Sequence, residues 1–323
     1  MRWRKLGKLF EPQQFQLPNG CVDFAQAPQT LVLGDRVRIY FSTRHREPDT
    51  GQFLSHIAYV DVSKDFQRVL GVSAHTVIEL GKQGCFDEHG IFPMNVLRHG
   101  DAIYGYTSGV NRRVSVPVDT AIGLAISRDQ GRTFQRLGDG PVLAPSLLEP
   151  CIVADPFVKV VGGVFHMWYL FGTGWKQAHA AAAPDRLYKI GHARSSDGIR
   201  WTKDEGRQII ESRLGPDECQ ALPTVIEIAG RHHMWFCYRQ THDFRQNRDR
   251  GYRIGHAWSD DLDSWTRDDQ QLGIDVSETG WDSQMLCYPH VFECEGQVYL
   301  LYNGNEFGKH GFGLAVLDQS NPA

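Results

Sequence analysis

Acidic residues stand at matching places in a repeating pattern. A proline opens an apolar, β-type run at Pro28, Pro93, Pro156, Pro223 and Pro289, at intervals of 63 to 67 residues. Five residues before each proline stand Asp23, Glu88, Cys151, Glu218 and Gln284. Immediately before each proline stand Ala27, Phe92, Asp155, Leu222 and Tyr288. Asp87, Asp217 and Asp282 add neighbouring acids. Carboxylates gathered in one partly dry pocket repel each other, and their pKa values split. One keeps its proton near neutrality and serves as acid, while another stays ionised as base or nucleophile. That division of labour is what cleavage of a glycosidic bond requires. The alternative for each acid is a strand cap or a cation ligand, the more so for Asp87, Asp217 and Asp282.

The elements that must bring these acids together repeat with the prolines. After each apolar run comes a Gly-containing turn and an aromatic-rich strand, such as Val37–Phe41, Phe165–Tyr169 and His233–Tyr238. A third strand follows, marked by Ile190-Gly-His-Ala193, Ile254-Gly-His-Ala257 and Phe312-Gly-Leu-Ala-Val316. A short fourth strand is marked by Phe66, Phe134, Trp201 and Trp265. Alternating β-branched and aromatic residues between Gly/Asp/Asn turns predict short antiparallel strands. Four such strands, five times over, predict an all-β, five-bladed β-propeller of four-stranded antiparallel blades. The expected organisation is one domain over residues 1–323, with blades near 11–80, 81–145, 146–211, 212–276 and 277–323. The last blade lacks a fourth strand, and the stretch around residues 2–10 is expected to supply it and close the ring, removing exposed sheet edges. In three copies a Ser-x-Asp stretch before the final aromatic, as in Ser195-Ser-Asp-Gly-Ile-Arg-Trp201, predicts an Asp-capped turn on the outer rim.

In such a ring the first strand of each blade lines the central channel. Its start and the end of the second strand open on one face. Asp23, Glu88, Asp155 and Glu218 would then converge at one mouth from four blades. The five-fold pattern, with Asp23, Ala154-Asp155-Pro156 and Asp217-Glu218-Cys219, resembles the five-bladed glycoside hydrolases: arabinanases, β-xylosidases, invertases and levansucrases. The resemblance implies that Asp23 is base or nucleophile, Asp155 stabilises the transition state or tunes a neighbour, and Glu218 is the general acid. The chain departs from the invertase pattern in having no Asn-Asp-Pro-Asn-Gly, and in placing Ala154 where Arg precedes Asp-Pro.

Around these acids, Glu88, Phe24, Arg44, Arg113, Trp175, Arg239 and Asp282 are the candidate substrate-binding residues. Aromatic faces suit the apolar patches of sugars, and Arg suits hydroxyls, carboxylates and phosphates. The basic residues Arg44, His45, Arg113 and His242 also support a second reading. Mannoside phosphorylases have a related propeller and hold phosphate with such groups. A third reading is a propeller that binds glycans without catalysis. No metal ligand set or cofactor motif is expected. His89 and His290 lie near the channel, where some arabinanase-like relatives carry calcium, but they bring no oxygen cage.

Composition narrows the partners. Against 34 Lys+Arg stand 38 Asp+Glu, a formal net charge of −4. Without a basic run, nucleic acid is not the expected partner; carbohydrate is. No window of ~18 apolar residues predicts a membrane span. The first ten residues are basic without an apolar core, so no secretory signal is expected. The seven cysteines form no Cys-x-x-Cys pair and are expected to be reduced and mostly buried, in a cytoplasmic protein.

Overall fold

The computed structural model describes residues 1–178 and 182–318. Strand β1 (Trp3–Phe10) comes first. Blade one follows as β2 (Asp23–Val32), β3 (Val37–Arg46), β4 (Phe53–Val62) and β5 (Val69–Val72). Blade two is β6 (Ile91–His99), β7 (Ala102–Arg112), β8 (Val118–Ser127) and β9 (Gln135–Arg136). Blade three is β10 (Val153–Val161), β11 (Val164–Lys176), β12 (Asp185–Ser195) and β13 (Thr202–Lys203). Blade four is β14 (Glu218–Ile228), β15 (Arg231–Gln240), β16 (Arg253–Ser259) and β17 (Thr266–Arg267). Blade five is β18 (Cys287–Cys294), β19 (Gln297–Asn303) and β20 (Phe312–Leu317), with β1 as its outer strand. The architecture is the five-bladed, four-stranded antiparallel propeller. No helix among the described residues is long and apolar enough to cross a membrane.

Closure rests on β1. It pairs antiparallel with β20, from Trp3 opposite Leu317 to Phe10 opposite Phe312. Trp3 and Phe10 are buried, and Lys5 Nζ reaches Asp282 Oδ2 at 2.7 Å. The first and last strands of the chain thus form one sheet, which closes the ring and covers the edge that β20 would otherwise present.

The repeating proline does a specific job. Proline has no N–H to give to the ladder, so pairing breaks there. In every blade the register between strands one and two slips at this point: between Gln26 and Gln29, Ile91 and Met94, Ala154 and Phe157, Ala221 and Thr224, and Cys287 and His290. The residue before the proline takes a left-handed φ in four blades: Ala27 (50°), Asp155 (54°), Leu222 (48°) and Tyr288 (57°). Such bulges re-aim side chains.

Below the bulges, polar side chains stitch the blades around the axis. Asn95 Nδ2 donates to Gln29 Oε1 at 2.9 Å, and Val158 N–H donates to Asn95 Oδ1 at 3.0 Å. Val291 N–H donates to Thr224 Oγ1, and Thr30 N–H donates to His290 Nε2, both at 3.1 Å. At the rim, Asp129, Asp197 and Asp261 each accept from backbone N–H groups of their own turn. Asp65 does the same in blade one.

Candidate active site

A cavity of about 1460 Å³ opens on the face where first strands begin and second strands end. Five of the residues expected there from sequence line it: Asp23, Phe24, Arg44, Asp155 and Arg239. Asp23 opens β2 and accepts from Gln13 Nε2 at 2.9 Å. Asp155 is held by its bulge, with its own N–H donating to Ser108 Oγ at 2.8 Å. Its neighbours at the same repeat position are Ala27, Phe92, Leu222 and Tyr288, and the surrounding side chains are apolar or aromatic. Burial in this ring pushes the Asp155 carboxyl up to about 7, against the opposing pull of the Leu222 N–H and the Arg186 charge.

The other five candidates lie elsewhere. Glu218 is a correction to the sequence expectation. It is fully buried and points into blade four, where Oε1 accepts from Arg267 Nη1 at 2.6 Å. Its Oε2 accepts the N–H groups of Arg213 and Leu214. The reason is the pleat. From Glu218 to Ala221, β14 pairs with β15 without interruption, so side chains alternate strictly. Cys219 and Ala221 face the cluster under the cavity, and Glu218 and Gln220 face away. In blade one an extra slip between Asp23 and Gln26 changes that alternation, and Asp23 lines the cavity instead.

Glu88 accepts from the Gly84 N–H at 2.8 Å. Arg113 is spent on Asp119. Asp282 is buried between Lys5 and Tyr302, tying β1 to blade five. Trp175 packs against the cluster beneath the cavity, with the Arg186 guanidinium 6.0 Å from its ring centroid. None of these four lines the cavity. Asp87 and Asp217, the flanking acids, pair with Arg136 and Lys176.

Sequence reasoning missed several lining residues: Asp185, Arg186, Tyr188, Arg245, Tyr252 and Phe307. Most follow from one omission. Strand three starts where strand two ends, so β12 and the approach to β16 open on the same face. Tyr188 and Tyr252 share a hydrogen bond at 2.6 Å, and Arg239 Nε donates to Tyr188 Oη at 3.1 Å. Phe244 lies under Arg239, with the guanidinium 3.6 Å from its centroid.

The electrostatic balance of the cavity is positive. Seven Arg and Lys side chains line it, against four carboxylates: Asp23, Asp155, Asp185 and Glu306. Asp185 holds His242 Nδ1 at 3.0 Å. Glu306 pairs with Lys309 and His310. Away from the cavity, His192, Asp204 and Asp263 come within metal-ligand distance of one another. Arg194 already bridges Asp204 and Asp263 there, supplying the positive charge.

No family model matches the sequence. The chain is 35% identical to the uncharacterized protein MT1551 of Mycobacterium tuberculosis strain CDC 1551 / Oshkosh over 324 residues, covering 98% of this chain and 100% of that one. Rv1502 of strain H37Rv of the same organism matches with the same identity and coverage. Among solved structures, a glycosyl hydrolase from Bacteroides ovatus superposes with a TM-score of 0.69 at 15% identity, covering 100% of this chain and 92% of that one. The endo-arabinase from Bacteroides thetaiotaomicron superposes at 0.63 and 13%, covering 98% and 99%. The β-1,2-mannobiose phosphorylase from Listeria innocua superposes at 0.66 and 14%, covering 97% and 96%. The fold is thus that of the five-bladed glycoside hydrolases and phosphorylases.

Proposed function

The chain belongs to the family of the Mycobacterium tuberculosis proteins MT1551 and Rv1502, and from that footing we propose that it is an enzyme breaking a glycosidic bond. The observation that carries this reading is Asp155. Its carboxyl is buried at the cavity floor with a pKa near 7, so it still carries a proton close to neutrality. Asp23 stands in the same cavity on another blade, half-exposed. Two carboxyl groups in unlike environments are the pair that glycoside cleavage uses.

In this reading Asp155 gives its proton to the glycosidic oxygen as the bond to the anomeric carbon breaks. Asp23 takes the proton of the incoming acceptor, or attacks the anomeric carbon itself. Asp155 thereby takes the acid role that the resemblance had given to Glu218. Phe24 and the tyrosines supply ring faces for the sugar. Fold likeness to both hydrolases and mannoside phosphorylases leaves two acceptors, water and inorganic phosphate. The same reading takes residues 1–323 as one propeller domain. Its seven free cysteines fit a reducing compartment, which supports a cytoplasmic location.

The test is product analysis on a panel of aryl glycosides and oligosaccharides, with and without inorganic phosphate, alongside Asp155→Asn and Asp23→Asn. Free sugar formed without phosphate, and lost in both variants, identifies a hydrolase. A sugar 1-phosphate formed only with phosphate identifies a phosphorylase. Full turnover in Asp155→Asn removes Asp155 from the mechanism. Binding without turnover across the panel favours a non-catalytic glycan-binding propeller.

A further inference from the structure

We propose that Arg44, Arg186, Arg239 and Arg245 form a subsite for an anionic group carried by the sugar: a carboxylate, a sulfate or a phosphate ester. This deepens, and rests on, the bond-breaking activity proposed above. The four arginines come from separate parts of the ring and meet in one cavity. Arg44 lies near the end of β3 in blade one, Arg186 near the start of β12 in blade three, and Arg239 near the end of β15 in blade four, with Arg245 in the loop beyond.

Their charges oppose one another. Burial works against the Arg44 charge, and so do Arg186 and Arg245. Burial likewise works against Arg186, with Arg239 and Arg245 adding to it. Arg239 is buried and Arg44 and Arg186 are partly buried, while Arg245 reaches in from an exposed loop. Like charges gathered partly out of water are costly unless something compensates them. The protein supplies little compensation. The Arg186 guanidinium makes no hydrogen bond or ion pair to any described residue. Asp155, the carboxylate that acts on it, holds a proton near neutrality. Among the described residues Arg44 has no ion-pair partner, and its buried Nε has no acceptor. Arg245 is paired there with Asp185 alone, at 3.9 Å.

Arg239 is the exception that fixes the set. Its Nε is spent on Tyr188 Oη, and its Nη1 on the carbonyls of Gln240 and Thr241. So one arginine is anchored, and two keep their donors for a ligand. Guanidinium groups present paired N–H donors that match the oxygens of carboxylate, sulfate or phosphate.

The anion is assigned to the sugar because a surface for a sugar ring adjoins the arginines. Phe92, Tyr288, Tyr252 and Phe307 form a continuous run, with centroids 5.6, 5.7 and 6.1 Å apart in turn. The Arg44 guanidinium lies 5.6 Å from the Phe92 centroid, and that of Arg245 lies 5.9 Å from the Phe307 centroid. A sugar stacked on the partly exposed Phe92 or Phe307 would carry its charged substituent toward Arg44 or Arg245.

The test is calorimetric titration of the full chain with pairs of probes that differ only in charge. These are methyl glucoside against methyl glucuronide, methyl galactoside against methyl galacturonide, and mannose against mannose 6-phosphate, with sodium phosphate alone as a further probe. At least one charged member is expected to bind about tenfold or more tightly than its neutral partner. The preference should shrink as salt is raised, vanish in Arg186→Gln, and survive in part in Arg186→Lys. Ligand-free Arg186→Gln should melt no lower than the native chain, because it removes a repelling cation. Asp155→Asn should lose turnover and keep the charge preference.

No charge preference in any pair overturns the subsite. So does binding of sodium phosphate that is competitive with the sugars while their own charge makes no difference, which would assign the arginines to an acceptor phosphate. A large fall in the melting temperature of Arg186→Gln makes Arg186 structural and also overturns it. If no probe turns over but the charge preference holds, the bond-breaking reading fails and the subsite stands.

Discussion

Glu218 and Arg267 are locked together at 2.6 Å with both side chains wholly removed from solvent. Gln220 Nε2 and two backbone N–H groups complete the shell of the carboxylate, and Arg267 is held further by Asp269 at 3.0 Å. This network joins the inner strand of blade four to its outermost strand. Glu218→Ala should therefore act on stability. Leaving Arg267 buried and unpaired costs on the order of 3–5 kcal/mol. Chemical denaturation should show that loss, and activity per folded molecule should change little. A variant of normal stability and no activity would return Glu218 to the catalytic set.

Why the sequence placed Glu218 wrongly is instructive. The five prolines make the propeller legible, because a unit repeating every 63 to 67 residues leaves few other architectures. Asp155 is legible for the same reason: the register slip at the proline is common to all five blades, so position −1 sits at a bulge throughout. Position −5 has no such fixed meaning. A single extra slip in blade one sets the face of Asp23, and a strand reverses its faces with each one-residue slip. Spacing along the chain does not reveal that slip. Arg186 was hidden differently. It stands four residues before Ile190-Gly-His-Ala193, in a stretch without a counterpart basic residue in every blade. Only the meeting of blades in space makes it a neighbour of Arg44.

Neighbouring blades are joined at the rim by a repeated tyrosine. Tyr40 Oη in blade one donates to the Gly131 carbonyl in the Asp-capped turn of blade two, at 2.6 Å. Tyr106 Oη in blade two donates to the Gly198 carbonyl in blade three, at 2.9 Å. Both bonds are buried. Tyr40→Phe and Tyr106→Phe should each lower stability by about 1–3 kcal/mol, since a buried carbonyl is left without its donor. The two sites share no partner, so the double variant should lose close to the sum. Urea denaturation of the three proteins checks this, and a double variant no worse than either single one would contradict it.

Buried neutral histidines contribute to the acid sensitivity of the fold. His56 is buried, stacks on His45 at 5.1 Å, and neither of its ring nitrogens has a hydrogen-bond partner among the described residues. Burial lowers its pKa from 6.5 to about 4. The unfolded chain thus binds a proton here at higher pH than the folded chain does. Stability is complete above 6.5 and falls as pH drops toward 4, by up to about 3 kcal/mol for this residue. His56→Leu removes the titrating group without breaking a hydrogen bond. Its stability should depend less steeply on pH over that interval, and curves parallel to those of the native chain would contradict the assignment.

Asp155 works in the opposite sense, and this ties stability to the proposed chemistry. Its folded pKa is raised from 3.8 to about 7, so the folded chain holds the proton more tightly than the unfolded chain. The carboxyl is tolerated fully below 3.8, and its cost to the fold grows as pH rises toward 7, reaching about 4 kcal/mol. Asn keeps an acceptor for the Leu222 N–H and never ionises. Asp155→Asn should therefore match the native chain at low pH and exceed it in stability above 7, while losing turnover. If the proposed chemistry holds, turnover by the native chain should fall as pH rises through about 7, because the acid form of Asp155 is used up. Urea unfolding of both proteins across this range, with a pH–rate profile of the native one, tests both claims together. A stability gap that does not widen with pH would mean that Asp155 ionises freely in the folded chain, and it would then have no proton to give near neutrality.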